Sequence, residues 1–148
     1  MRSNHLICSL LLVATAAFNA SAQEATAKKD SIDAAIDQSV SRGIDFLRER
    51  GQADNGSFSP ETGAAVTAIC VRAILENRPQ ALNDPAVKKA IEHIESKIQG
   101  DGGIYAQGSR YRNYETSVAV GALMKANKNG QYDSALKRAE AFLKEIQW

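Results

Sequence analysis

The sequence is poor in the side chains that usually carry chemistry. Cysteine occurs twice, at Cys8 and Cys70, and histidine twice, at His5 and His93. Cys8 and His5 fall in an N-terminal segment that reads as removable. One cysteine then remains, which excludes an intramolecular disulfide and leaves stability to packing. One histidine and one cysteine do not make a zinc site or a nucleophilic triad. There is no charge imbalance either. Removing Arg2 from the 18 basic residues leaves a number equal to the 17 acidic ones, a formal charge of zero. A neutral chain has no electrostatic reason to bind nucleic acid or an acidic membrane face. No apolar run is long enough for a membrane span. The longest, Leu6–Phe18, has 13 residues, and crossing a bilayer takes about 20. No segment alternates with period two over a useful length, so a β-sheet is not expected.

What is present begins with an export pattern. Arg2 precedes the uncharged run Leu6–Phe18, and Ala20-Ser21-Ala22 offers small residues at the two positions a signal peptidase reads. Residues 1–22 are therefore expected to be a signal peptide, cleaved between Ala22 and Gln23, giving an exported protein, periplasmic or secreted. Cys8 lies too early for lipidation at that point. Gln23–Ser31 is small and polar and reads as a flexible leader.

From Ile32 onward the pattern is helical. The first segment, Ile32–Arg50, carries Ile32, Ile36, Val40, Gly43 and Leu47 on one face. The third, Pro85–Ile98, has Asp84 as N-cap and Pro85 at the first helical position, with a stripe of Val87, Ile91, Ile94 and Ile98. The fifth starts near Ser134 with Leu136, Ala139, Leu143 and Ile146, and Phe142 beside them. The second (Thr62–Glu76) and fourth (Thr116–Ala126) are small and apolar nearly all round, and such helices are normally buried on every side. Amphipathic odd helices outside and apolar even helices inside satisfy both patterns.

The helices repeat. Val40–Phe58 aligns with Val87–Tyr105 at an offset of 47 residues, with five identities in 19 positions. Glu61–Ala68 aligns with Glu115–Ala122 at an offset of 54, with five identities in eight. The difference of 7 is assigned to a longer loop, Ala106–Asn113, in the second copy. A third copy opens at Asp133 and stops at Trp148. Each unit is an amphipathic helix, an Asp-x-Gly-x-aromatic turn and an apolar helix, which cannot bury itself without stacked neighbours. Residues 32–148 are thus about two and a half hairpins, expected to be part of a longer array.

The spacing is specific. The first copy reads Arg42-Gly43, Phe46-Leu47, Gln52, Gly56, Phe58. The second reads Lys89-Ala90, His93-Ile94, Gln99, Gly103, Tyr105. The third reads Arg138-Ala139, Phe142-Leu143, Gln147. This resembles the Gln-Trp repeat of terpenoid cyclases, and so the prenyltransferase and squalene-oxidase-type repeat proteins with an α/α-toroid fold. The first two copies carry one extra residue before the Gln, and Phe or Tyr replaces the usual Trp. The resemblance implies an all-α toroid of tandem helical hairpins. It implies that Gln52, Gln99 and Gln147 tie one hairpin to the next helix, and that Phe58 and Tyr105 stack nearby. Gly56 and Gly103 would supply the positive φ of the turn, and Asp54 and Asp101 would accept backbone N–H bonds in it.

The acidic Asp-x-Asp-Asp stretch of hopene-type cyclases is absent, as are zinc ligands and a phosphate loop; Gly100-Asp101-Gly102-Gly103 is a repeat turn. No catalytic residue, metal or cofactor is therefore assigned. The one segment that stands out is Gln107–Glu115, which gathers Arg110, Tyr111, Arg112 and Tyr114 near Tyr105. In a toroid this loop would border the central cavity. Tyr105, Tyr111, Arg112 and Tyr114 are the candidate ligand-binding residues, for an isoprenoid or other apolar ligand or a protein partner. The leading expectation is an exported toroid that binds without catalysing. An isoprenoid cyclase or transferase with its active site beyond residue 148, and a carbohydrate-active toroid enzyme, are the alternatives.

Overall fold

A computed structural model describes residues 26–59 and 61–147. The expected signal peptide, residues 23–25 of the leader, Pro60 and Trp148 lie outside the described residues. Every regular element among the described residues is helical, and the nearest approach to a strand is one antiparallel bridge between Ile98 and Ile104. No helix among them is long and apolar enough to cross a membrane. The chain divides into two compact units, with the boundary between Arg42 and Gly43.

Residues 26–46 are helical (α1). Helix thus starts inside the expected flexible leader. Lys29 pairs with Asp33 at 2.9 Å across one turn, and such a pair favours helix over coil. In the first unit the expected apolar stripe is not buried: Ile32 and Ile36 are exposed.

The second unit continues with a π-helical turn (Leu47–Gly51), α2 (Ala65–Asn77), a 3₁₀ turn (Pro79–Asn83), α3 (Pro85–Glu95), α4 (Arg112–Ala126) and α5 (Asp133–Glu145). α2 stops where it does because Arg78 precedes Pro79, and the proline ring pushes its predecessor out of the α region. α3 starts as its sequence predicts, with the Asp84 carboxylate accepting from the Ala86 N–H at 2.9 Å and Pro85 at the first helical position. α4 begins four residues earlier than the expected Thr116, so part of the expected loop is its first turn.

α2 packs on both α3 and α4, and α5 packs on α4. The α2–α4 seam is built from small residues. Ala64, Ala68, Ala119, Ala122 and Ala126 are fully buried, and their size lets two helix backbones approach. Val71, Ile74, Val87, Ile94, Ile104 and Leu123 fill the remaining core. The α3 stripe is buried at Val87, Ala90, Ile91 and Ile94, while α5 buries Ala139 and Phe142. The expectation that α2 and α4 are enclosed on every side fails. Ile69 and Met124 are exposed at 47 and 64 per cent. The described neighbours of α2 and α4 leave these two side chains uncovered.

The turns explain how one copy holds the next. The Gln52 side-chain amide donates to the Gly56 carbonyl at 3.0 Å and to the Ala86 carbonyl, at the start of α3, at 2.8 Å. Arg48 pairs with Asp84, the α3 N-cap, at 2.6 Å. Both contacts join the first turn region to the start of α3. Gln99 behaves differently, donating to Lys97 and Tyr105 carbonyls within its own turn. Gln147 is exposed.

The turn register differs by one residue from the sequence alignment. In the first turn Ala53 N–H bonds the Ser57 carbonyl and Gly56 N–H the Ala53 carbonyl; in the second, Gln99 N–H bonds Gly103 and Gly102 N–H bonds Gln99. Gly56 therefore matches Gly102. Both have positive φ, +86° and +89°. Gly103 has no positive φ and is glycine for a different reason: a Cβ there would sit 2.5 Å from the Tyr105 ring and 2.9 Å from that of Phe142. Likewise Asn55, not Asp54, accepts the turn N–H of Ser57 at 3.0 Å, as Asp101 accepts that of Gly103. Asp54 is simply exposed. Phe58 matches Ile104, since their N–H groups donate to Thr67 and Thr116 hydroxyls at 3.1 and 3.0 Å.

Candidate functional site

The segment singled out in sequence lines a groove of the second unit. Its volume is about 740 Å³. One wall comes from the turn before α2 and its first residues, including Glu61, Ala65 and Val66. The other comes from residues 106–109 with Tyr111 and Tyr114. Both tyrosines are exposed, at 71 and 54 per cent, so their rings are accessible to a ligand. Tyr111 is placed by its N–H, which donates to the Ser109 hydroxyl at 3.0 Å.

Glu115 holds the two walls together. It is 6 per cent exposed, in the first turn of α4. One carboxylate oxygen accepts from Ala64 N–H at 3.1 Å and from Ala106 N–H at 2.9 Å, and the other accepts from the Ser109 hydroxyl. Three donors compensate the desolvation of this buried charge, as a buried carboxylate requires. The Ala64 bond also caps α2 from outside. The α2 start has no side-chain cap of its own, and a negative charge beside a helix N-terminus is favourable. Gly63 makes this possible, because a Cβ there would lie 2.6 Å from the Glu115 carboxyl carbon.

The four candidate ligand residues therefore separate into two pairs. Tyr111 and Tyr114 share the groove. Tyr105 and Arg112 line a smaller cleft of about 350 Å³ with Gln99 and residues 107–109. The Arg112 guanidinium lies 5.6 Å from the centre of the Tyr105 ring, which stacks on Phe142 of α5 at 5.6 Å and 29°. Tyr105 hydroxyl donates to Asp101 at 2.5 Å. That bond lowers the Asp101 pKa and raises that of the tyrosine. This cluster fastens the second turn to α4 and α5, and the Tyr105 ring is buried.

The other chemistry-bearing side chains are placed as packing groups. His93 is buried on α3, where desolvation and then the Lys97 charge depress its pKa against an opposing bond to the Asn55 backbone. Cys70 is half-buried on α2, and burial raises its thiol pKa. No group of three or more His, Cys, Asp or Glu side chains among the described residues could hold a metal ion. Glu115 escaped the sequence reading. Its one signal was the alignment with Glu61, yet the two have different roles, since Glu61 is exposed.

The chain matches no protein-family model, no curated protein and no solved structure.

Proposed function

We propose that this is an exported α/α-toroid repeat protein of the terpenoid cyclase and prenyltransferase type that binds an apolar ligand without transforming it. The single observation that carries the reading is the groove. It has two accessible tyrosine rings, apolar lining from Ala65 and Val66 on one wall and Ala106 on the other, and one buried carboxylate already engaged by three donors. Such a concave apolar surface with few polar groups is the usual form of a ligand site. The repeat resemblance is supported by the Gln52 amide, which reaches the Ala86 carbonyl of the next hairpin. Catalysis is not part of the proposal, because Glu115, the buried acid of the groove, is consumed by structural hydrogen bonds.

The test is a titration of the chain with a water-soluble isoprenoid alcohol, followed by tyrosine fluorescence and calorimetry. Saturable binding that weakens at least fivefold in Tyr111→Ala and Tyr114→Ala is expected. Absence of binding, or binding indifferent to both substitutions, refutes the reading.

A further inference from the structure

The groove carries a charge pattern that an apolar ligand alone does not use. Among its lining residues are two carboxylates, Glu61 and Glu115, and no Lys, Arg or His. The donors on Glu115 are two backbone N–H groups and a hydroxyl, all uncharged, so its negative charge is stabilised but not neutralised by a cation. Glu61 stands exposed on the opposite wall. Of the two loop arginines, Arg112 is held over the Tyr105 ring and lines the other cleft, and Arg110 is exposed and is not among the groove's lining residues. Tyr111 and Tyr114 add two accessible ring faces, whose quadrupoles attract cations.

From this juxtaposition we infer that the groove selects an organic cation, a primary or quaternary ammonium carried on a short apolar body. This deepens the binding reading above and rests on it. The apolar body lies against Ala65, Val66 and the tyrosine rings, and the ammonium head takes up the field of Glu61 and Glu115. An aromatic face beside a carboxylate suits a quaternary ammonium better than an inorganic cation. The head is weakly hydrated, and the rings interact with its methyl groups while the carboxylate supplies long-range attraction.

The experiment compares three probes of equal chain length on the full chain: hexyltrimethylammonium, hexanol and hexanoate. Affinities come from calorimetry, and ring contacts from the tyrosine proton shifts. The ammonium is expected to bind about tenfold more tightly than hexanol, equivalent to about 1.4 kcal/mol, and hexanoate more weakly than hexanol. Glu61→Gln is expected to remove most of the ammonium preference, read as the ratio of ammonium to hexanol affinity in the same variant. Glu61 is exposed, and an unchanged helical circular dichroism spectrum checks that the variant folds. Tyr111→Phe, which keeps the ring face, is expected to retain the preference; Tyr111→Ala is expected to reduce it. Equal affinity for the ammonium and the alcohol overturns the cation inference and leaves the apolar-groove reading standing. A preference that survives Glu61→Gln and 0.5 M salt also overturns it. Failure of all three probes overturns both.

Discussion

Replacing Gly56 by alanine tests how the hairpins are locked together, and two other glycines separate the terms. Gly56 has φ +86°, and a Cβ there would overlap the Lys89 carbonyl oxygen and lie 2.8 Å from its carbon. The obstruction is α3 backbone, which cannot rotate away as a side chain could. Two costs follow. A left-handed backbone costs an L-residue about 1–2 kcal/mol, and overpacking against a fixed neighbour costs about 1–3 kcal/mol. Gly108 has φ +80° with nothing near its missing Cβ, so Gly108→Ala isolates the first term. Gly43 is helical and equally open. There alanine should stabilise by about 0.5–1 kcal/mol, since glycine loses more backbone entropy on folding. At about 4 °C per kcal/mol for a unit of this size, thermal melts followed at 222 nm should order the variants clearly. Gly43→Ala rises by a few degrees, Gly108→Ala falls by about 4–8 °C, and Gly56→Ala falls by about 8–20 °C. Gly102→Ala should resemble Gly56→Ala, because its Cβ would meet the Arg138 carbonyl oxygen at 2.7 Å. If Gly56→Ala melts no lower than Gly108→Ala, the turn does not rest on α3 and the repeat-to-repeat packing is wrong.

Three more perturbations probe different parts of the unit. Glu115→Ala strands the Ala64 and Ala106 N–H groups and the Ser109 hydroxyl, and should lower stability by about 3 kcal/mol or more in urea unfolding, since each buried donor left unmade costs about 1–3 kcal/mol. Thr116→Val removes the acceptor for Ile104 N–H and should cost about 1–3 kcal/mol, whereas Thr116→Ser, which keeps the hydroxyl, should recover most of it. The depressed pKa of His93 means that the unfolded chain binds a proton that the folded chain resists, so stability is complete above the ordinary value of 6.5 and falls as pH drops through it, levelling below the folded value. His93→Gln should flatten that slope, as read from denaturation midpoints between pH 7.5 and 5; an unchanged slope would show that another group carries it.

Helical periodicity made the all-helical character readable, as in α3, whose stripe the structure buries at Val87, Ile91 and Ile94. Asp84 and Pro85 marked its start through local chemistry that needs no tertiary knowledge. The loop around Tyr111 and Tyr114 was also visible as a composition anomaly, and both residues line the groove. Tyr105 and Arg112 line a separate cleft, because proximity in sequence does not say which side of a turn a ring occupies. Glu115 was hidden for a related reason. Its partners, Ala64 and Ala106, are backbone groups, and backbone donors leave no mark in a sequence. The exposed Ile69 and Met124 show that an all-apolar helix predicts a demand for burial and not that the described neighbours meet it.

The turn register has a cause that joins sequence to structure. Ile44 and Leu47 of the first copy match Ile91 and Ile94 of the second at an offset of 47, and all four pack in or against the core. The turns match at 46, Gly56 with Gly102. The first copy therefore spends one more residue between helix and turn. That residue is absorbed by the π-helical turn Leu47–Gly51, since a π turn holds one residue more than an α turn for the same advance. The second copy has no such turn and ends α3 at Glu95. Aligning identical letters, Asp54 with Asp101 and Gln52 with Gln99, hid the extra residue by carrying the helix offset through the turn. The consequence is visible in the glutamines. Only Gln52, shifted by the π turn, stands where its amide reaches the next hairpin, while Gln99 closes on its own turn. The tie between copies thus depends on backbone phase as much as on the presence of a glutamine. Glu115 is a second case of the same rule. The hydroxyls that receive the turn N–H groups pair Thr67 with Thr116, an offset of 49, so the apolar helices match there and not at 54. In that register Glu115 corresponds to Val66, and its carboxylate is an addition of the second copy. The acid that joins the groove walls is therefore tied to the place where the repeat departs from itself.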